Sequence, residues 1–266
     1  MSRGVLLKMQ TEFKDPVEYI LTLGTEDIRM NELLGKQVVF DFGGMIHCIR
    51  CGRVIKKTFA QGYCYPCFTT APETSECVLR PELCRAHEGI SRDMKWSEEH
   101  CLQDHYVYLA LSSGVKVGVT RSSQIPTRWI DQGAWKAIRL AKPPNRYLAG
   151  CIEVALKSHM SDKTNWRHML INKLDENIDL VDEKEKVKGL LDREFFQYIT
   201  PDTEVTEIHY PVIQYPGKVK SIGFDQTGFI EEVLKGIKGQ YLIFRGGIVL
   251  NIRKHSGYLV TMDYSS

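Results

Sequence analysis

The sequence predicts an α+β protein in which a cysteine-rich module interrupts β-rich and helical stretches. Three observations lead there. Seven of the eight cysteines fall between residues 48 and 101. Runs of β-branched and aromatic residues punctuated by glycine occupy both ends of the chain. Helical periodicity fills much of the stretch from about 144 to 198. Composition sets the outer bounds. Hydrophobic residues make up 43% and charged residues 26%, which excludes disorder as the main state. The 266 residues are enough to bury a core as one large domain or two to three small ones. Lys plus Arg is 35 against 33 Asp plus Glu, so the net charge is +2. A uniformly basic nucleic-acid coat is excluded, and a local basic face is not. No run approaches the 18 apolar residues of a membrane span. The N-terminal MSRGVLLKMQTEFKD turns charged too early for a signal peptide. The expected location is cytoplasmic, where thiols stay reduced.

Each element has a local reason. Residues 17–23 and 37–42 read as strands of a β-rich N-terminal segment, 1–45, with Gly24, Gly35, Gly43 and Gly44 as punctuation. Residues 46–104 form the cysteine-rich module. HYVYLAL and VKVGVT follow as two strands, and Ser112-Ser113-Gly114 between them is a hairpin signal. Pro126 opens a short helix, TRWIDQG, that Gly133 stops. Residues 137–141 read as a further strand. Pro143-Pro144 precede a helix running to about Met160, with Leu148, Ile152, Ala155, Leu156 and Met160 at helical spacing. Residues 162–198 continue as helices whose alternating charges mark a solvated face. Together 105–200 form one expected unit. From Thr203 the text becomes strand-like, giving a β-rich C-terminal segment, 201–266. A faint echo links LLGKQVVFDFGGMIHCIRCG to GIKGQYLIFRGGIVLNIRKH. Two unrelated hairpins with the same turn chemistry explain it. The sharper alternative pairs the 1–45 and 201–266 segments into one β-unit with the middle inserted.

Cys48, Cys51, Cys64 and Cys67 form C-x2-C-x12-C-x2-C. Each CxxC turn presents two sulfurs on one side of a tight loop, and two such turns close a four-thiolate cage for Zn²⁺. Gly52 after the first pair supplies the positive φ of a knuckle. A redox CxxC or two disulfides would be the alternatives, and paired turns in a reducing compartment favour metal. Four sulfurs leave no position for water, so this zinc is expected to be structural. Cys77, Cys84, Cys101 and His105 give C-x6-C-x16-C-x3-H, a candidate second zinc site with His87 and His100 as rival ligands. The alternative is that these cysteines are small buried packing residues. Cys151 sits in an apolar helix pattern and is read as core.

Within 105–165, Tyr106-Val107-Tyr108 on one strand is followed by Lys116-Val117-Gly118 on the next. Arg128 follows in a helix, and Glu153 in a later one. This stretch resembles the GIY-YIG nuclease superfamily, whose fold is a three-stranded antiparallel sheet with flanking helices. The resemblance implies a metal-dependent endonuclease with Tyr108, Lys116, Arg128 and Glu153 as catalytic residues. Lys116 stands where the family carries its second tyrosine, and Tyr106 where it carries glycine. Asn165 matches a polar residue near the end of the family core. The whole chain is also similar to a family of uncharacterised bacterial proteins that join a cysteine-rich segment to SSGVKVGVTR and RWIDQGA. The chemistry implied is phosphodiester hydrolysis. Glu153 would hold Mg²⁺ or Mn²⁺, and Arg128 would fork onto phosphate. Tyr108 would help to position water. Lys116, with an ordinary pKa near 10.4, is better suited to touching phosphate than to acting as a base.

A nucleic-acid partner, DNA or RNA, is also expected from composition. Arg121, Arg128, Lys136 and Arg139 interleave with Trp129 and Trp135, so that cations would grip phosphate and rings would stack bases. The competing functions are a non-catalytic module for RNA or a ribonucleoprotein, and a protein-interaction scaffold.

Overall fold

The computed structural model describes residues 1–160 and 165–265. Residues 162–164, where the second helical stretch was expected to begin, lie outside the described residues. In chain order the strands begin with β1 (Ser2–Val5), β2 (Gln10–Glu12), β3 (Glu18–Leu23), β4 (Glu26–Arg29), β5 (Gln37–His47) and β6 (Val54–Ile55). Next come β7 (His105–Leu111), β8 (Val115–Arg121), β9 (Lys136–Ala141) and β10 (Thr206–Glu207). The last are β11 (Lys220–Ile222), β12 (Phe229–Lys238), β13 (Tyr241–Phe244), β14 (Ile248–Asn251) and β15 (Tyr258–Tyr264). The helices are α1 (Tyr65–Thr70), α2 (Met94–His100), α3 (Thr127–Asp131), α4 (Arg146–Lys157), α5 (Trp166–Leu170) and α6 (Leu180–Lys188), with short 3-10 turns between them. The fold is α+β.

The largest sheet runs β1-β15-β5-β12-β13-β14-β11, with β6 also paired to β5. Its centre is β5, antiparallel to β12 through Phe40↔Ile230 and to β15 through Phe40↔Met262. Strands from both ends of the chain therefore share one sheet, and a smaller sheet, β2-β3-β4, lies beside it. The two echoing glycine pairs do different work. Gly43-Gly44 sits inside β5, opposite the register shift in its pairing with β15. Gly246-Gly247 turns the chain between β13 and β14. The likeness is thus not a shared hairpin turn. β6 pairs with the end of β5 at Ile46↔Ile55, and β5 leads directly into the first CxxC turn.

The sheet built on HYVYLAL and VKVGVT has four strands, β10-β9-β7-β8, with β7 between β9 and β8, where three strands were expected. The fourth, β10, comes from beyond residue 200 and pairs with β9 at Thr206↔Ala137. Side chains alternate across β7, as the two-residue strand period requires. Val107, Leu109 and Leu111 enter a core with Ile152 and Leu156 of α4 and Leu180 and Val187 of α6. Tyr108 and Ala110 enter the opposite core, with Trp129, Ile130 and Ala137 and the large-sheet residues Phe40, Leu234 and Leu250. Both faces are covered, which explains why HYVYLAL reads as nearly continuous apolar text.

Helix α4 begins where expected. The Asn145 side chain accepts a hydrogen bond from Leu148 N at 2.9 Å, capping it. Asn165 caps α5 in the same way, accepting from Arg167 N and His168 N. On α4, Gly150 lets the cysteine-rich segment press against the helix. A Cβ there would lie 2.1 Å from Glu82 N and 2.4 Å from Pro81 C.

Candidate metal centres and an arginine-lined hollow

The sulfurs of Cys48, Cys51, Cys64 and Cys67 all lie within 4.8 Å of one another, and none is in a disulfide. Local geometry explains the convergence. Gly52, at φ +72°, turns the chain so that its N–H reaches Cys48 O at 2.9 Å. Helix α1 starts at Tyr65 and Pro66 directly after the N-cap Cys64, placing Cys67 in its first turn. The Cys51 and Cys64 sulfurs are 3.8 Å apart. A tetrahedral zinc with bonds of ~2.3 Å has edges of about 3.8 Å, so the sulfur set fits such an ion. Burial opposes ionisation of Cys48, but the backbone N–H groups of Cys51, Cys64 and Arg50 outweigh it and hold the thiol down at about 6. One thiolate is thus stabilised before any metal arrives.

Cys77, Cys84 and Cys101 form a second group, again within 4.8 Å. They sit at a 3-10 turn, Glu76–Val78, at the end of another, Pro81–Leu83, and at the end of α2. Arg146 ties the group to α4. Its N–H donates to Cys101 O at 2.8 Å, and its guanidinium donates to Cys77 O at 3.3 Å and His100 O at 3.0 Å. The thiols of Cys101 and Cys77 hydrogen-bond to the Cys84 sulfur and pull it well below the ordinary thiol range. His105 does not join this group, which corrects the C-C-C-H expectation. Its Nδ1 sits 2.7 Å from Gln103 O, and its buried Nε2 has no partner among the described residues. Burial, with the charges of Arg146 and Arg121, pushes this imidazole down to about 4.

Tyr108, Lys116 and Glu153, the other three residues expected to be catalytic, each feel the charge of the Arg128 guanidinium. Tyr108 is fully buried, its ring lies over Gly118, and its hydroxyl accepts a hydrogen bond from Gln132. Burial raises its pKa, while Arg128 and Gln132 act against the rise. Lys116 is 9% exposed. Burial and Arg128 push its ammonium down to about 8. Glu153 is 8% exposed and 3.3 Å from Lys157. Burial raises its carboxyl, with Glu82 adding to the rise and Lys157 and Arg128 opposing it. The tyrosine hydroxyl is therefore sealed from solvent.

Arg128 also lines a hollow of about 260 Å³ together with Lys8, Arg121, Arg146 and Arg253. Asp131 is the one carboxylate on its wall, and it is already engaged by Lys8 at 2.9 Å and by Gln240 at 2.8 Å. Among the described residues, Arg121, Arg128 and Arg253 have no carboxylate within ion-pair distance. Burial and the neighbouring guanidinium lower Arg121 and Arg253, through Arg146 and Arg128 respectively. Asp131, already engaged by Lys8, is the one negative charge that opposes this crowding of like charges, a costly arrangement that an anion relieves.

Only Arg121 and Arg128 of the expected nucleic-acid residues reach this hollow. Trp129 is 2% exposed and packs edge-on to Tyr108 in the core, so it has no face for a base. Trp135 packs against the helical core, with Lys136 over its ring. Lys136 pairs with Glu207 at 3.0 Å. Arg139 pairs with Asp202 and Glu204. Lys8, Arg146 and Arg253 were missed because no local spacing connects them. They meet because the terminal sheet packs against the β7 sheet.

These features define an α+β protein with two cysteine clusters that can each hold a metal ion. Among the described residues no helix is long and apolar enough to cross a membrane. The chain belongs to the family described as protein of unknown function DUF2797, whose model matches residues 35–260. No curated protein and no solved structure matches it significantly.

Proposed function

We propose that the protein binds the phosphate backbone of nucleic acid in the arginine-lined hollow, and that zinc in the cysteine clusters fixes the hollow's walls. The observation that carries this reading is the set of three guanidinium groups, Arg121, Arg128 and Arg253, that face one cavity without carboxylate partners. Guanidinium forks match phosphate oxygens two at a time, and their hydrogen bonds strengthen where water is excluded. The four-sulfur set suits a soft, closed ion such as zinc. Val78, Leu79 and Pro81 of the cysteine-rich segment form part of the wall, so metal binding supports the site without touching the ligand. Free thiols fit a reducing compartment such as the cytoplasm.

Fluorescence anisotropy with a 5′-phosphorylated single-stranded DNA and its RNA counterpart tests the reading. Arg128→Gln and Arg253→Gln should each weaken binding about tenfold, the loss of ~1.4 kcal/mol expected when a charge-assisted contact is removed. Affinity unchanged in both variants refutes it.

Cleavage is the second reading, favoured by the grouping of Tyr108, Lys116 and Glu153 about Arg128 in the order that the GIY-YIG resemblance requires. Glu153 would be the ligand for Mg²⁺ or Mn²⁺, a hard ion that prefers carboxylate oxygen. The sealed Tyr108 hydroxyl weighs against turnover and makes binding the leading reading. Mg²⁺-dependent cleavage that Glu153→Ala abolishes would reverse that ranking.

A further inference from the structure

The two cysteine groups differ in a way their spacing does not announce. The first supplies four sulfurs, and the second supplies three. All three sulfur-bearing residues of the second group, Cys77, Cys84 and Cys101, line a cavity of about 350 Å³. None of the three nearby histidines closes the set. His87 stacks on Tyr147 at 4.5 Å, with its Nε2 3.7 Å from Glu88. His100 stacks on Trp96 at 4.1 Å and keeps its Nδ1 2.8 Å from Trp96 O. His105 lines the arginine hollow instead.

We propose that Cys77, Cys84 and Cys101 hold a thiophilic divalent cation with an open fourth position that faces this cavity. Three sulfurs within 4.8 Å of one another can take three vertices of a tetrahedron, and a site with three protein ligands keeps the fourth for solvent or a substrate group. The vertex binds water and exchanges it for a small exogenous thiolate. Softness favours sulfur over oxygen at such an ion. Binding is a substitution without electron transfer. Each protein thiol loses its proton to solvent as its metal–sulfur bond forms, and an incoming thiol loses its proton as water departs. Three thiolates on a divalent ion carry a net charge of −1. Arg146, bonded to Cys77 O and His100 O, stands behind the group, and Arg85 and Arg92 line the cavity in front of it. Arg85 is already paired with Glu88 at 2.7 Å and Glu76 also lines the cavity, so it is Arg146 and Arg92, neither paired with a carboxylate among the described residues, that offset the charge of a fourth anionic donor. Room also exists, since a water molecule occupies ~30 Å³ and the cavity is roughly tenfold larger. The inference is independent of the nucleic-acid reading, because it concerns a different cavity and a different ligand.

Cadmium-113 NMR on the full-length protein, loaded with excess Cd²⁺ under a phosphine reductant, tests it. Two resonances are expected, one from the four-sulfur site and a second displaced toward the three-sulfur range. Titration with β-mercaptoethanol should move the second toward the four-sulfur position and leave the first where it is. His105→Ala should leave both unchanged. A single bound cadmium per chain, or a second resonance indifferent to the thiol, overturns the proposal. So does displacement of the second resonance by His105→Ala, which would identify the imidazole as the closing ligand.

Discussion

Gly150→Ala is a sharp test of how the cysteine-rich segment is mounted. In an exposed helix interior this substitution stabilises by about 1 kcal/mol, because alanine loses less backbone entropy. Here the added methyl would lie 2.1 Å from Glu82 N, 2.4 Å from Pro81 C and 2.8 Å from Glu82 Cα. Carbon contacts are favourable only near ~3.5–4.0 Å, so the surfaces must separate by more than an ångström. The opposing atoms are backbone, which no rotamer change can clear. Overpacking of this kind costs about 1–3 kcal/mol, and a rigid contact belongs at the upper end. After the propensity gain a net loss of about 2 kcal/mol remains, a fall in Tm of roughly 4–8 °C for a chain of this size. Urea denaturation followed by circular dichroism reads the change directly. Pro81, Val78 and Leu79 would move with the segment, so oligonucleotide binding should weaken as well. A variant more stable than the parent by about 1 kcal/mol would refute the packing argument.

Other consequences follow from buried charge and from the metal. Lys238 is fully buried, with Nζ 2.9 Å from Asn172 Oδ1, and burial pushes its ammonium down to about 8. A folded pKa below the unfolded 10.5 means that the unfolded chain binds more protons between those values, so stability should rise with pH from about 8 to 10.5. Lys238→Met should reduce that rise by up to about 3 kcal/mol in denaturation curves taken across the window, and an unaltered rise would contradict the assignment. If zinc fills the first cysteine cluster as proposed, its chelation at pH 7 should collapse that cluster, since zinc-finger sites draw about 10–16 kcal/mol from the metal. Hydrogen exchange would then show protection lost over residues 47–68 and kept in β7 and α4; protection kept in both regions would count against a structural metal.

Much of this molecule was legible from local pattern. Paired CxxC turns need only two tight loops and one hairpin, all short-range features, and the four sulfurs converge as spacing required. HYVYLAL and VKVGVT became β7 and β8 because strand propensity, turn chemistry and burial on two faces agree. Packing decided the rest. Trp129 lies in a basic, aromatic stretch, yet α3 turns it into the core beneath Tyr108, and no local signal reports that direction. Arg139 looked free in sequence because its partners, Asp202 and Glu204, come 63 and 65 residues later. Arg253 and Lys8 reach the hollow only through the pairing of the chain's two ends. His105 has the right separation from Cys101 for a ligand, but its backbone already belongs to β7 and directs the ring to the other side.

The salt dependence of oligonucleotide binding tests the central claim most directly. Three phosphate contacts, from Arg121, Arg128 and Arg253, predict that log K falls against log salt with a slope near −2 for a single strand, from ~0.7 per contact. Arg128→Gln should bring the slope to about −1.4. A slope near zero, or one that Arg128→Gln leaves unchanged, would contradict the assignment of the hollow to phosphate.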